Sequence, residues 1–368
     1  MGEVAKQHHA SQPLSTALSD ASIDAATDQM ASAHSAPFLA ADVGGTHARI
    51  ALVVATPGGR RPVKMLHYHR YSCTEWSSIS AMLQDFIAQL AGTPHAAVSP
   101  GIDRCALACA GYVLDDAIVN ENLPWPVSIR AIREGLGMGQ LRIINDFEAV
   151  AYAAQFIDIS ETRPVIDVVQ PAIGGPVLVM GPGTGLGSAV LLPGEPRAQV
   201  LPSEAGLVAL APGTEREIEI LRVLGRERPY VSYQEVLSGP GLVNLYAAIC
   251  ELRHSHVNLR TPADITTAAL AGTDADALES LHVFCGLLGS YTGDLVLLYR
   301  ACSVYLAGGI LPQIQDFLQA SSFAERYFNK GVMRAFLQQV PVRLIEHGQL
   351  GVIGAAGWFL DTRHEDGQ

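Results

Sequence analysis

Charge is scarce in this sequence. Asp, Glu, Lys and Arg make up 16% of its 368 residues, against ~25% in an ordinary soluble protein. The little charge present has the wrong sign for nucleic acid. Lys and Arg number 24 against 36 Asp and Glu, a net charge of −12. An acidic surface repels phosphate backbones, which excludes broad nucleic-acid binding but not a local pocket for an anionic cofactor. Paired cysteines are missing too. The six, at 73, 105, 109, 250, 285 and 302, form no CxxC pair, so neither a zinc ribbon nor a disulfide framework is expected, and the implied compartment is the cytoplasm. Residues 1–36 lack the basic and apolar segments of a signal peptide and read as a disordered extension. A long lipid-facing run is also lacking. The longest uncharged stretch, Val168–Gly194, holds seven Gly and four Pro, which a membrane helix does not tolerate. No other apolar run is read as long enough to span.

What the chain has in excess is glycine. There are 35, about one residue in ten against ~7% on average. They cluster, and four clusters follow apolar runs that read as strands. Glycine there lets backbone turn tightly or approach a ligand. The predicted strands are Phe38–Asp42, His47–Val54, Cys105–Ala108, Leu141–Ile144, Val177–Met180 and Ser303–Ala307. Apolar spacing predicts helices over Ser77–Leu90, Thr214–Leu224, Gly241–Leu252, Leu281–Arg300 and Gly351–Leu360. Alternation of the two argues an α/β fold, and the length suggests two domains at about 150 residues each. A weak internal echo, FLAAD-VGGT-HARIALVV against VLVM-GPGTGLG-SAVLL, suggests one glycine-turn hairpin in each half.

Six motifs could carry chemistry. Asp42-Val-Gly44-Gly45-Thr46 offers successive N–H groups, an anion-binding nest, and a hydroxyl donor; Asp42 can hold Mg²⁺ directly or through water. Gly181-Pro-Gly183-Thr184-Gly185-Leu-Gly187 repeats the arrangement between strands. Neither is a P-loop or a dinucleotide fingerprint, and no protein-kinase set is present. Asn145-Asp146 ends a strand and starts a helix, where the helix N-terminus favours an ionised carboxylate available as a base; a plain N-cap is the alternative. Glu204, beside glycine in a loop, can accept hydrogen bonds from hydroxyls. Gly239-Pro240-Gly241 and Gly308-Gly309 can each seat a flat ring against bare backbone, or simply punctuate helix starts.

Five strings in order, ADVGGTHARIALV, LRIINDFEAVAYA, GPGTGLGSAV, VLSGPGLVNLY and YLAGGILP, resemble the bacterial glucokinase family of the hexokinase–actin–heat-shock ATPase superfamily. The resemblance runs from about Phe38 to Trp358. It implies a two-domain actin-like (ribonuclease H-like) fold with a cleft between the domains. Residues 37–155, completed by the C-terminal helix 350–368, would form the small domain and 156–349 the large one. It implies ATP and Mg²⁺ as cofactors, glucose or a related hexose phosphorylated at its 6-hydroxyl, and a homodimer that touches neither nucleic acid nor membrane. By the same resemblance Asp146 is the general base. Asn122, Asn145, Glu204 and Gln234 meet the sugar. Asp42 holds the metal. Gly44, Gly45, Thr46, Gly183, Thr184 and Gly185 hold phosphates, and Gly308 and Gly309 line the adenine site.

Two positions depart from the family. Its E-G-G-H string reads Glu204-Ala205-Gly206-Leu207 here, and its sugar-binding glutamate is Gln234. Glu235 is one residue off, and in extended backbone it would face away. Losing a buried partner costs ~1–3 kcal/mol, so the sugar site is expected to be weakened or changed while the phosphate loops and Asp146 are intact. Three alternatives follow: a kinase for another hexose, one for an amino sugar, or a low-activity sugar sensor. A DNA-binding repressor is disfavoured by the charge and by a short, unpatterned extension.

Overall fold

β1 (Phe38–Val43) is five apolar residues and one aspartate, all buried. Such a run fits a strand covered on both faces, and it is the middle of a five-stranded sheet. β2 (His47–Ala55) pairs with it antiparallel and β3 (Val63–Ser72) pairs with β2. On its other side β4 (Arg104–Cys109) runs parallel. A small antiparallel sheet of β5 (Tyr112–Leu114), β6 (Ala117–Val119) and β7 (Val127–Ser128) intervenes in the chain. β8 (Gln140–Asn145) then completes the order β3-β2-β1-β4-β8. The computed structural model describes residues 36–119, 123–168, 174–195, 197–345 and 348–362; the expectations for residues 1–35, Asn122 and 363–368 lie outside these.

The second sheet repeats this plan around another buried strand. β9 (Thr162–Ile166) precedes it in the chain. β10 (Val177–Pro182), β11 (Leu186–Leu192) and β12 (Gln199–Ser203) form an antiparallel run. β13 (Ser303–Leu306) lies parallel to β10, and β14 (Val342–Ile345) parallel to β13, with β9 on the edge. The order is β12-β11-β10-β13-β14-β9. The fold is therefore mixed α/β with several sheets.

Helix starts follow side-chain caps. Ser78 accepts from the Ala81 N–H and Thr214 from the Glu217 N–H, so the two helices begin at Ile79 and Glu215, one or two residues inside the expected bounds. The helix expected at Leu281 begins at Ala275, because Asp274 caps it through the Asp276 and Ala277 N–H groups. Its first residues, Ala275-Asp276-Ala277, carry no large apolar side chain to extend the spacing read from Leu281. This 25-residue helix (Ala275–Tyr299) is long and apolar enough to cross a membrane, which corrects the expectation that no such run exists. Most of its apolar stretch is buried in the core, as in a soluble protein's central helix.

Two further helices join the sheets. The helix Asp146–Ala153 leaves β8 and lays Phe147 on β11, so closely that a Cβ on Gly187 would lie 1.9 Å from the ring. The C-terminal helix Leu350–Thr362 packs on β1 and β4 and crosses the Asp146 helix. There a Cβ on Gly354 would lie 1.7 Å from the Ala149 carbonyl oxygen. Only glycine permits that crossing.

Candidate active site

The four glycine clusters, 44–45, 181–187, 239–241 and 308–309, converge. The β1–β2 turn closes when the Gly44 N–H donates to the His47 carbonyl at 3.1 Å. The β10–β11 turn closes when Gly183 N–H donates to the Gly185 carbonyl at 2.8 Å. The two turns touch through their threonines, with Thr46 Oγ1 3.1 Å from Thr184 Oγ1. The Gly239 N–H donates to the Gly183 carbonyl at 2.8 Å. Gly308, at φ +104°, lies so near β10 that a Cβ would sit 2.3 Å from the Pro182 oxygen. A Cβ on Gly309 would meet nothing within 4 Å. Gly181 and Gly187 are not turn residues: they pair with each other in the ladder and allow close approach of Ala307 and Phe147. Gly308-Gly309 leads into a 3-10 turn at Leu311–Ile314 rather than directly into a helix.

In each turn two successive N–H groups, Gly45 and Thr46 in the first and Thr184 and Gly185 in the second, have no acceptor among the described residues. Exposed paired amides of this kind form a nest for phosphate oxygens. The two turns come from two different sheets and meet at their threonines.

Asp146 stands at the first turn of its helix, but Asn145 is the cap. Asn145 Oδ1 accepts from the Phe147 and Glu148 N–H groups at 2.9 and 3.2 Å, and its Nδ2 donates to the Gly111 carbonyl at 3.0 Å. Asp146 Oδ1 also accepts from the Phe147 N–H at 2.9 Å. The helix start was expected to favour the ionised form of Asp146 and leave it available as a base near neutral pH. Burial wins instead. Removal from water pushes its carboxyl up to about 7, the nearby Asp42 and Glu204 charges push the same way, and the backbone hydrogen bonds oppose them. An acid poised there exchanges a proton readily at neutral pH.

Asp42, one residue before the end of β1, lies across the ladder from Arg49, whose Nη1 is 3.2 Å from Asp42 Oδ2. Burial raises the Asp42 carboxyl and Arg49 lowers it. Gly351 lets the C-terminal helix come up beneath this carboxyl, where a Cβ would lie 2.4 Å from Asp42 Cγ. Among the described residues no three His, Cys, Asp or Glu cluster as a metal site. With Oδ2 engaged by Arg49, Oδ1 is the one Asp42 oxygen left to meet a hydrated cation.

A cavity of about 440 Å³ opens beside the helix start, lined by Gly111, Asn145, Glu148, Ser203 and Glu204 among others. Glu148 was not foreseen. It sits in the first turn of the Asp146 helix, and burial and the Glu204 charge raise its carboxyl. Its place two residues after Asp146 was the available signal. A second cavity of about 410 Å³, lined by Arg60, Arg61 and Lys64 among others, holds none of the expected site residues. Leu207, where the family has histidine, is half exposed at 49%. Gln234 does not stand in extended backbone. Tyr233–Glu235 form a 3-10 turn, whose rotation sends successive side chains about 120° apart. Gln234 Oε1 accepts the Leu186 N–H at 3.0 Å. Glu235 turns to Arg228 and Asn244, at 3.0 and 3.2 Å.

The glucokinase family model matches residues 39–362. The chain is 44% identical over 330 residues to a glucokinase-like protein of Xylella fastidiosa, covering 89% of this chain and 95% of that protein. It is 39% identical over 325 residues to a glucokinase of Yersinia pestis, covering 87% and 95%. The crystal structure of a glucokinase from an Antarctic psychrotroph superposes with a TM-score of 0.74 at 33% identity, covering 89% of this chain and 99% of that one.

Proposed function

The chain belongs to the glucokinase family, and on that premise we propose that it transfers the γ-phosphoryl group of ATP to the 6-hydroxyl of a hexose, glucose first. The observation that carries this reading is the pair of facing glycine turns, joined at Thr46 and Thr184, next to a carboxyl held near neutrality at Asp146. The free N–H pairs of Gly45–Thr46 and Thr184–Gly185 hold phosphate oxygens without needing net positive charge. Gly309, with open space where a Cβ would stand, leaves room for adenine beside Gly308. Asp42 would hold Mg²⁺, directly or through water, and the ion would supply neutralisation of the phosphate charge when bound.

Asp146 takes the proton of the sugar hydroxyl as that oxygen attacks phosphorus. Glu204 accepts from ring hydroxyls. Asn145 has one amide N–H left for the sugar, since its other hydrogen-bonding groups hold the helix start and Gly111. Asn122 belongs to the same proposal. In this reading residues 37–155 with the C-terminal helix, and residues 156–349, are two lobes that close over the sugar and exclude water. A homodimer in the cytoplasm completes it. The test is direct: ATP, Mg²⁺ and glucose should yield glucose 6-phosphate. Folded protein that makes none at high glucose removes the glucose assignment.

One observation favours a second reading, an amino sugar. Glu148 and Glu204 line one cavity, each raising the case for a cation between them, and among the described residues neither has a salt-bridge partner. A sugar ammonium would relieve their repulsion, whereas a neutral hydroxyl would not. A panel of hexoses and hexosamines with ATP decides between the two.

A further inference from the structure

We propose that Gln234 is a positioning residue of the nucleotide turn rather than a ligand of the sugar. The inference rests on the reading of Gly183–Gly185 as a phosphate loop.

Three observations converge on it. The Gln234 side-chain oxygen accepts the Leu186 N–H at 3.0 Å, at the point where the turn re-enters β11. The same amide packs on the turn itself, since a Cβ on Gly185 would lie 2.6 Å from Oε1 and 3.3 Å from Cδ. At the other end of the turn the Gly183 carbonyl accepts the Gly239 N–H at 2.8 Å. One short segment, Gln234 to Gly239, therefore grips both ends of the second glycine turn.

That segment is itself stiff. Ser238 Oγ donates to the Gln234 carbonyl at 2.8 Å and accepts the Gly241 N–H at 2.9 Å, capping the helix Gly239–Arg253. Tyr233, beside Gln234, is buried and stacked on Tyr291 with ring centroids 3.7 Å apart.

The effect on the turn follows from which groups are engaged. The Gly183 N–H, the Gly183 and Gly185 carbonyls and the Leu186 N–H all have partners. Of the turn's backbone N–H groups, only those of Thr184 and Gly185 remain for a ligand among the described residues. Without Gln234, the Leu186 N–H loses its acceptor and competes with the two ligand amides for the same phosphate oxygens. The nest then changes shape. Neutral amide suits this post better than carboxylate. It offers the same acceptor to Leu186 without placing a negative charge against a triphosphate.

The experiment varies ATP and hexose independently, over wild type, Gln234→Leu and Gln234→Glu. Gln234→Leu removes the acceptor and keeps the bulk. KM for ATP should rise roughly 5- to 50-fold, with KM for the sugar changed less than about twofold. Gln234→Glu restores the acceptor, so its KM for ATP should fall back at least severalfold from that of Gln234→Leu. A rise in sugar KM with ATP KM unchanged, or no change in either, overturns the proposal and leaves the kinase reading standing. If no sugar is turned over, calorimetry with a non-hydrolysable ATP analogue takes over. Wild type that binds it more tightly than Gln234→Leu supports the proposal. Equal affinities overturn it, and no binding by wild type overturns both it and the phosphate-loop reading. Should Gln234→Leu fold poorly by thermal melt, Gln234→Asn, one methylene too short to reach Leu186, replaces it with the same expectation.

Discussion

The two glycine turns look alike in sequence and are supported differently. The β1–β2 turn is held from within its own half. The Cys73 N–H donates to the Thr46 carbonyl at 2.9 Å, and Cys73 Sγ lies 3.4 Å from the Gly44 carbonyl. Cys73 is fully buried, and burial raises its thiol, so it serves as packing. The β10–β11 turn is held by a segment some fifty residues further along, through Gln234 and Gly239. A turn supported locally keeps its shape by default. A turn supported from afar keeps it only while the distant segment stays in place. The second turn is therefore the one that responds to changes in the distant segment Gln234–Gly239.

The largest effect expected falls on neither turn but on Asp146. Asp146→Asn should lower kcat roughly 10²–10⁴-fold with little change in KM for ATP, since a base acts on the proton and not on the nucleotide. An equal loss through KM would mean that Asp146 binds and does not catalyse. Its pH behaviour sharpens this. With the carboxyl at about 7, kcat/KM should rise with pH and level off above that point. The stability sign runs the other way. The folded carboxyl holds its proton well above the ordinary 3.8, so its ionisation costs stability as pH rises from about 4 through 7. Asp146→Asn should therefore melt higher than wild type at pH 8 and equally at pH 4. A lower melting point at pH 8 would contradict burial as the dominant cause.

The comparison of turns is broken next by adding one methyl group to each. Gly185→Ala drives a Cβ to 2.6 Å from the Gln234 oxygen, whereas Gly44→Ala meets nothing nearer than 3.8 Å. The first should raise KM for ATP severalfold by displacing Gln234. The second should be folded and melt within a degree or two of wild type. Equal nucleotide defects would show that the turns are limited by ligand contact and not by their supports. The smallest effect concerns the hydroxyl pair. Thr46→Val and Thr184→Val should show coupling of ~0.5–1 kcal/mol in a double-mutant cycle on stability without nucleotide. Additive changes would mean the contact at 3.1 Å carries no free energy.

Much was legible in the chain. β1, β10 and β13 are short, largely buried runs with aspartate or glycine at or just beyond their ends, and their apolar composition marks them without any neighbour. The C-terminal helix reads from its continuous apolar run, Gly351–Leu360. β3 was not legible, because its side chains are mostly half-buried and its pairing with β2, not an alternating pattern, makes it a strand. Nor could the sequence say which of Asn145 and Asp146 caps the helix, since both residue types are good N-caps and only the backbone shows where the helix begins. The extended reading of Val231–Glu235 failed for a related reason: a 3-10 turn of three residues leaves no periodicity to detect.

The sequence by itself determined the glycine turns, the acid after β8 and the order in which they come. These are local properties, set by what a backbone without a Cβ can do and by where an apolar run stops. Only the tertiary structure decided that the two turns face each other, that burial outweighs a helix terminus at Asp146, and that Gln234 holds a turn. Each of those depends on how segments distant in sequence exclude water and claim one another's hydrogen bonds, which no single stretch of chain records.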